Sequence, residues 1–209
     1  MKAFVIILPL LGLALLNGCS DRPVAALSQR SCCPTNLPCA SKSTLPDRSI
    51  YQLDSLWTTD SGAQTNLAAL RGRIEVVTMF FANCEVACPL LVNDMKRIEA
   101  ALPAEVRKQV GFVLVSFDPD RDTPETLRAY RNRQGLAQNW TLLRGKPEDV
   151  QELAVVLGLK YKKDLQGQFA HSNVITILGP EGEIIQQQSG LPQAIEPLVA
   201  AIKQPGLSH

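Results

Sequence analysis

Two short apolar runs, separated by a segment of helical periodicity, constrain the fold of this chain more than any other feature of its sequence. The runs IEVVTMFF (74–81) and GFVLVSF (111–117) are rich in β-branched and aromatic residues and show no polar alternation, which is typical of strands buried on both faces. The segment between them places one face of a helix at Leu91, Met95, Ile98 and Leu102. We therefore predict a βαβ unit whose two strands pair in parallel.

The rest of the chain extends this alternation. A helix is predicted from Pro124 to Gln134 with Thr123 as its N-cap, and another begins at Pro147. Further strands are predicted at 50–57, 140–143, 173–178 and 183–188, followed by a last helix at 192–203. This order predicts a thioredoxin-like α/β fold, in which helices flank a central mixed sheet with an extra N-terminal strand.

The N-terminus has the features of an export signal. A basic residue precedes an apolar run at 3–16, which is shorter than the roughly 20 residues of a membrane-spanning helix. The run ends in LNGC, which is similar to a bacterial lipobox, so we predict a signal at 1–18 and lipid modification of Cys19. An uncleaved anchor is the alternative. Residues 19–48 are then a tether and 49–205 the folded domain, facing the periplasm at the cell envelope.

Charge and composition exclude nucleic acid as a partner. The formal net charge is +1, so the chain carries no basic field of the kind that attracts a phosphate backbone. Aromatic residues make up only 5% of the sequence, too few to predict platforms on which bases stack.

Cys84 and Cys88 follow the first buried strand and stand where the helix begins. A helix N-terminus lowers the pKa of a thiol, because its unpaired N–H groups and its dipole favour the thiolate. A spacing of four positions is close to one helical turn, so both sulfurs project to the same side. The pair is a disulfide, a redox couple or two ligands for a soft metal. Two thiolates strongly favour Cu(I), whereas structural zinc usually has four protein ligands.

A third metal ligand has to come from elsewhere in a chain with only two histidines. His209 is the last residue of the sequence, which leaves His171, directly before the strand predicted at 173–178. In a thioredoxin-like sheet the start of that strand lies near the dithiol loop. We therefore predict that Cys84, Cys88 and His171 bind one copper ion per domain.

A third stretch of interest, SFDPDRDTPETL (116–127), follows the second buried strand. Asp118 stands at the strand end, at the edge of the sheet where such folds place their chemistry. We interpret Asp118 as a supporting residue that holds the site electrostatically or orients a ligand. Asp122 and Thr123 are interpreted as turn and helix-cap residues.

Three more cysteines, Cys32, Cys33 and Cys39, lie in the predicted tether. Cysteines of exported chains normally form disulfides, but lipid on Cys19 leaves an odd number to pair. Cys32 and Cys33 are not expected to bond to each other, because a disulfide between adjacent residues is strained. Either the tether contains one disulfide or its thiols form an auxiliary Cu(I) site.

The order and spacing of three motifs resemble the Sco/SenC family of copper-binding assembly proteins for cytochrome c oxidase. The motifs are CEVACP (84–89) after a buried strand, DPDRDTP (118–124), and His171 ahead of a GPEGEI hairpin. The resemblance covers about residues 50–203. Two features depart from the family pattern: the segment SCCPTNLPC, and Ala170, where several members carry an acidic residue.

The resemblance implies a thioredoxin-like domain on the outer face of a membrane, with copper bound by both cysteines and the histidine and with Asp118 affecting site chemistry. It further implies maturation of the dinuclear copper centre of oxidase subunit II, by copper delivery, by thiol reduction of that subunit, or by both. The expected partners are that subunit or a related copper enzyme, other periplasmic copper carriers, thiol reductants and the membrane.

We therefore predict a membrane-anchored copper chaperone rather than an enzyme. A thiol–disulfide oxidoreductase of thioredoxin or peroxiredoxin type, or a redox sensor, would use the same dithiol and remains the alternative.

Overall fold

The structure of the protein is a computed structural model that describes residues 45–165 and 169–204. Its strands are β1 (Trp57–Thr59), β2 (Gln64–Thr65), β3 (Ile74–Phe80), β4 (Val110–Ser116), β5 (Trp140–Arg144), β6 (Tyr161–Lys163), β7 (Phe169–His171), β8 (Val174–Leu178) and β9 (Ile184–Ser189). Its helices are α1 (Ala87–Ala101), α2 (Ala104–Arg107), α3 (Pro124–Gln134), α4 (Pro147–Val156) and α5 (Glu196–Ile202). The predicted signal, most of the predicted tether, and Cys19, Cys32, Cys33 and Cys39 lie outside the described residues.

The strands of the central sheet follow the order β2-β1-β5-β4-β3-β8-β9, and β6 pairs with β7 in a separate two-stranded sheet. The pairs β3–β4 and β4–β5 are parallel, whereas β1–β5, β3–β8 and β8–β9 are antiparallel. This mixed sheet with flanking helices confirms the predicted thioredoxin-like architecture.

The predicted βαβ unit forms the middle of the sheet. Strands β3 and β4 pair in register from Ile74 opposite Val110 to Phe80 opposite Ser116, and every residue of both strands is buried. Because the strands are parallel, their carboxyl ends meet at one edge of the sheet. The loop that leads from β3 through Cys84 into α1 and the turn that carries Asp118 therefore begin side by side.

Helices α1, α3 and α4 lie where the sequence predicts them, whereas α5 begins at Glu196 rather than at 192 and α2 was not predicted. The predicted face of α1 is buried at Leu91, Met95, Ile98 and Leu102, and each such side chain contributes about 1.5–3 kcal/mol by leaving water. The hydroxyl of Thr123 accepts a hydrogen bond from the Thr126 N–H and caps α3, and Gly135 ends that helix in the left-handed conformation with φ +61°. No helix within the described ranges combines the length and apolar character needed to cross a membrane.

Two local predictions were wrong or incomplete. Residues 50–57 do not form one strand, because the hydroxyl of Ser49 accepts the Tyr51 N–H at 3.1 Å and caps a 3₁₀ turn at Ile50–Gln52. Here a local side-chain bond to the backbone prevails over apolar alternation. The β6–β7 hairpin was not predicted, and His171, which stands shortly before β8, is itself the last residue of β7.

Candidate metal centre

The first turn of α1 and the loop before it hold the two thiols. The Cys84 N–H donates to the carbonyl of Phe81 at 3.2 Å, which folds the chain back directly after β3. The N-cap residue of α1, Val86, provides no side-chain hydrogen bond, and the Cys88 N–H donates instead to the sulfur of Cys84 at 3.3 Å. Because a helix N-terminus offers unpaired N–H groups, this sulfur takes the place of a capping oxygen. Both cysteines are free thiols.

His171 reaches the thiols from the β6–β7 hairpin. Its Nδ1 lies 3.2 Å from the carbonyl oxygen of Ser172, and its Nε2 lies 3.9 Å from Sγ of Cys88. A carbonyl oxygen only accepts hydrogen bonds, so Nδ1 carries a proton. This contact turns Nε2 toward the sulfurs.

The structure thus brings together the three predicted metal ligands. One ligand atom from each of Cys84, Cys88 and His171 lies within 4.8 Å of the other two, and no other potential metal-binding group of three such residues was found in the described part of the chain. Two sulfurs and one imidazole nitrogen are a soft donor set, which fits Cu(I) better than Mg²⁺ or Ca²⁺.

The three ligands differ in their access to solvent. Cys88 is fully buried, whereas Cys84 and His171 are partly exposed. Both exposed ligands line an open cleft of about 390 Å³ whose walls are Phe81, Asn83, Cys84, Glu85, Val86, Ala87, Phe169 and His171. A partner molecule can therefore approach Cys84 and His171 from the cleft, with Cys88 lying behind them.

The surroundings separate the acidities of the two thiols. Hydrogen bonds, first from the Cys88 thiol and then from His171, lower the pKa of Cys84 to about 3. The hydrogen bond that Cys88 donates to Cys84, together with burial, raises the pKa of Cys88. The hydrogen bond to Cys84 also raises the pKa of His171. Cys84 is therefore the thiolate of the reduced pair and Cys88 its proton donor.

Aromatic rings surround the imidazole on its inner side. The ring centroid of His171 lies 5.0 Å from that of Phe117 and 6.2 Å from that of Phe81. Phe169 and Tyr161 continue the cluster, with centroids 5.0 Å and 5.3 Å from Phe117. These rings exclude water from one side of the site and restrict rotation of the imidazole.

Asp118 lies next to this cluster rather than against the thiols. Its buried carboxylate accepts hydrogen bonds from Arg121 Nε and, at 3.3 Å, from Nζ of Lys163. Lys163 belongs to β6, which pairs with the strand that carries His171. Asp118 therefore contacts the hairpin that presents the histidine, and its supporting role stays a prediction.

Asp122 is the residue that the sequence interpretation underestimated. Its N–H donates to the Asp118 carbonyl at 3.0 Å, so it is a turn residue, but Thr123 alone caps the helix. The buried carboxylate of Asp122 instead accepts the N–H of Ala82 at 3.0 Å and the hydroxyl of Ser116 at 2.5 Å. Asp122 stands six positions after the end of β4, and its place before Thr123 and Pro124 is equally typical of a turn, so the sequence contains no separate signal for this contact.

A thioredoxin-like sheet with two thiols at a helix N-terminus and an imidazole from a neighbouring hairpin defines a dithiol protein equipped to bind a soft metal ion. The sequence matches the model of one such family, SCO1/SenC, over residues 51–204. The chain belongs to the SCO1/SenC family.

Individual relatives agree with this assignment. A protein of Stutzerimonas stutzeri, provisionally named a copper-binding protein, is 33% identical over 144 residues, which cover 66% of this chain and 68% of that protein. The crystal structure of a SCO1/SenC family lipoprotein from Bacillus anthracis is 26% identical with a TM-score of 0.65, covering 74% of this chain and 92% of that one. Arabidopsis thaliana ScoI, solved with copper bound, has the same fold at 20% identity, with a TM-score of 0.62 over 72% of this chain and 96% of that one. The predicted family and fold are confirmed.

Proposed function

We propose that this protein is an extracytoplasmic copper chaperone that binds one copper ion through Cys84, Cys88 and His171. The observation that carries the proposal is the convergence of two sulfurs and one imidazole within 4.8 Å in a SCO1/SenC chain. The copper-binding name of the Stutzerimonas stutzeri relative supports the same metal. The family resemblance supports delivery to the dinuclear centre of cytochrome c oxidase subunit II or of a related copper enzyme, with copper obtained from other periplasmic carriers.

The residues of this chain supply what a soft ion requires. Copper bound here would be the cargo of the protein, and its affinity for sulfur provides the force that holds it. Cys84 offers a thiolate without any change of protonation, because its pKa is lowered to about 3. Cys88 has to release a proton before its sulfur can bind the ion. The protonated Nδ1 of His171 points at Ser172, so Nε2 is the nitrogen that would bind the ion, once it has released the proton that it donates to Cys84.

A second function, thiol–disulfide exchange with partner cysteines, is favoured by the exposure and low pKa of Cys84. In this reaction the Cys84 thiolate attacks a disulfide of the partner, and the departing partner sulfur leaves as a thiolate. Cys88 then loses its proton and attacks Cys84 of the mixed disulfide, which releases the second partner sulfur. The partner gains two electrons and the pair is oxidised, so an external thiol reductant has to restore it.

Copper titration of the reduced and the oxidised protein tests the first function. We expect one copper ion per reduced domain to survive desalting and almost none in the disulfide form, because oxidation removes two of the three donors. Cys84→Ser and Cys88→Ser should abolish retention, since a hydroxyl is a poor soft donor. His171→Ala should weaken binding and shift the Cu(II) absorption spectrum, with His209→Ala as the matched control. Equal binding by the oxidised protein would refute the site and favour thiol exchange.

The membrane attachment belongs to the same proposal. The LNGC sequence at Cys19 and the lipoprotein relative from Bacillus anthracis both support lipid modification and location at the cell envelope. Mass spectrometry of the mature protein should show an N-terminal diacylglyceryl cysteine and no residues of the 1–18 segment. An intact Met1 on the membrane-bound protein would instead establish an uncleaved anchor.

A further inference from the structure

One buried carboxylate next to the dithiol takes no part in the metal set described above. Asp122 has no exposed surface, and both hydrogen bonds to its Oδ2 come from neutral donors, the Ala82 N–H and the Ser116 hydroxyl. Burying a carboxylate is costly unless its hydrogen bonds are satisfied. The buried carboxylate of Asp122 therefore points to a role in fixing the positions of its two hydrogen-bond donors, which an apolar side chain could not do.

The two donors lie at the ends of the two central strands. Ser116 is the last residue of β4, and its oxygen also accepts the Asp118 N–H at 3.0 Å. Ala82 follows β3 and stands two positions before Cys84. The preceding backbone is fixed by the Phe117 N–H, which donates to the Phe80 carbonyl at 2.9 Å. The Ala82 N–H is thus held by a side chain where the hydrogen-bond ladder of the two strands ends.

We propose that Asp122 is a positioning residue for the dithiol, whose carboxylate clamps the start of the thiol loop to the end of β4 and so sets the spacing of the two sulfurs. The carboxylate is fully buried and accepts the N–H of Ala82, two positions before Cys84, so it holds the loop from the interior of the protein. The exposed cleft lies on the other side, along Cys84 and His171. The loop is therefore fixed from within while its outer face stays open to a partner.

The inference rests on the proposed function, because it concerns the same two thiols, but it can be tested without copper. The first readout is the equilibrium constant of the Cys84–Cys88 dithiol against a glutathione redox buffer, measured on the full chain. Asp122→Ala removes the clamp, and we expect a shift of at least tenfold toward the disulfide, about 30 mV for a two-electron couple. Asp122→Asn should stay within about threefold of the wild type, because the amide oxygen can still accept both hydrogen bonds.

Asp60 offers a matched control for loss of a buried carboxylate. It accepts hydrogen bonds from Arg131 and follows β1, which runs antiparallel to β5, so it lies toward the edge of the sheet away from the thiol loop. Asp60→Ala should lower the free energy of unfolding but leave the thiol–disulfide equilibrium constant unchanged. A purely structural role for Asp122 predicts the same result for Asp122→Ala.

A second variant decides the question if Asp122→Ala does not fold. Ser116→Ala removes one arm of the clamp and should shift the equilibrium constant in the same direction by a smaller factor. If Asp122→Ala folds, an equilibrium constant that is unchanged or shifted toward the dithiol would overturn the inference. If Asp122→Ala does not fold, an unchanged equilibrium constant in Ser116→Ala would overturn it. Copper affinity, measured by competition, should fall in Asp122→Ala at least tenfold. If the wild type binds no copper, the proposed function fails while the redox measurement still tests Asp122.

Discussion

Cys84 and Cys88 are the same chemical group in two environments, and the difference decides which of them reacts. Cys84 is partly exposed, and it receives hydrogen bonds from the Cys88 thiol and His171 that stabilise its negative charge. Cys88 is buried and donates its proton to the other sulfur. An electrophile in the cleft therefore meets a thiolate, and the protonated thiol lies behind it.

The pH dependence of alkylation measures this difference in acidity between the two thiols. A thiolate persists as the pH falls until the pKa is reached, so iodoacetamide should modify Cys84 at a nearly constant rate between pH 5 and pH 8, which lies above its pKa of about 3. Peptide mapping by mass spectrometry should find Cys88 unmodified in the folded protein. His171→Ala removes one stabilising hydrogen bond and should lower the rate at the acidic end.

Cys88→Ala should lower the rate of Cys84 alkylation at acidic pH more than His171→Ala does, because the Cys88 thiol is the larger contributor to the lowered pKa. If the two variants lowered the alkylation rate of Cys84 in the same order in the unfolded protein, the folded geometry would not be the cause of the lowered pKa.

At the scale of elements, the ligands come from two parts of the fold that only tertiary packing joins. The thiols belong to α1 and its loop, whereas His171 belongs to β7 in a sheet of its own. The hairpin is tied to the β4–α3 turn by the ion pair of Lys163 with Asp118. The position of the imidazole thus depends on a contact far from the thiols in sequence.

Lys163→Ala should therefore weaken copper binding through its effect on His171. The lysine is 40% exposed, so its ion pair contributes at most about 1 kcal/mol, which corresponds to roughly a fivefold loss of affinity. The thiol–disulfide equilibrium of the two cysteines should hardly change, because neither sulfur contacts the lysine. Competition titration measures the affinity, and Lys162→Ala, an exposed lysine on the same strand, is the control. A loss equal to that of His171→Ala would show that the hairpin unfolds.

The elements that the sequence predicted are those whose signal is local and periodic. The buried strands β3 and β4 carry unbroken apolar runs, and α3 carries both a capping Thr123 and a Gly135 stop. The β6–β7 hairpin escaped prediction because its strands, YKK and FAH, are too short to show alternation. Its existence depends on packing of Tyr161 and Phe169 against Phe117, which no local pattern reveals.

The candidate site was predictable to a similar extent. The sequence could predict the three ligands because cysteine and histidine are rare in the folded part of this chain and the fold places Cys84, Cys88 and His171 at one edge of the sheet. The task of Asp122 was hidden, because its partner Ala82 is forty positions away and offers only a backbone N–H. Almost any residue at position 82 would provide the same backbone N–H, so the sequence does not reveal this hydrogen bond.

At the scale of the whole molecule, another buried carboxylate, that of Glu75, lies at the end of the sheet opposite the dithiol. Glu75 lies near the start of β3, fully buried, and Arg73 pairs with it at 2.5 Å. Gly111 on the neighbouring strand makes room for the carboxylate, since a Cβ there would collide with it. Burial raises the pKa of Glu75 to about 7.

This shift predicts a pH dependence of global stability. The unfolded chain releases the Glu75 proton near pH 4.5 and the folded chain near pH 7, so the contribution is fully present below the first value and is lost as the pH rises through the second. At about 1.4 kcal/mol per pKa unit, the loss is on the order of 3 kcal/mol. Urea unfolding at pH 4.5 and 7.5 should show it in the wild type but much reduced in Glu75→Gln. The exposed Glu105→Gln should behave as the wild type, and a pH-independent difference between wild type and Glu75→Gln would contradict the prediction.

Under the proposed function, the unequal exposure of the three ligands would set the order in which they release copper. A recipient's sulfur or imidazole would enter through the cleft, where Cys84 and His171 are accessible. Copper would therefore exchange these two ligands first and Cys88, which has no exposed surface, last. Transfer under the proposed function would then include a stage in which donor and recipient share the ion, so copper need not be released into the surrounding solution. In that sequence the buried sulfur of Cys88 would be the last ligand of this chain to release the ion.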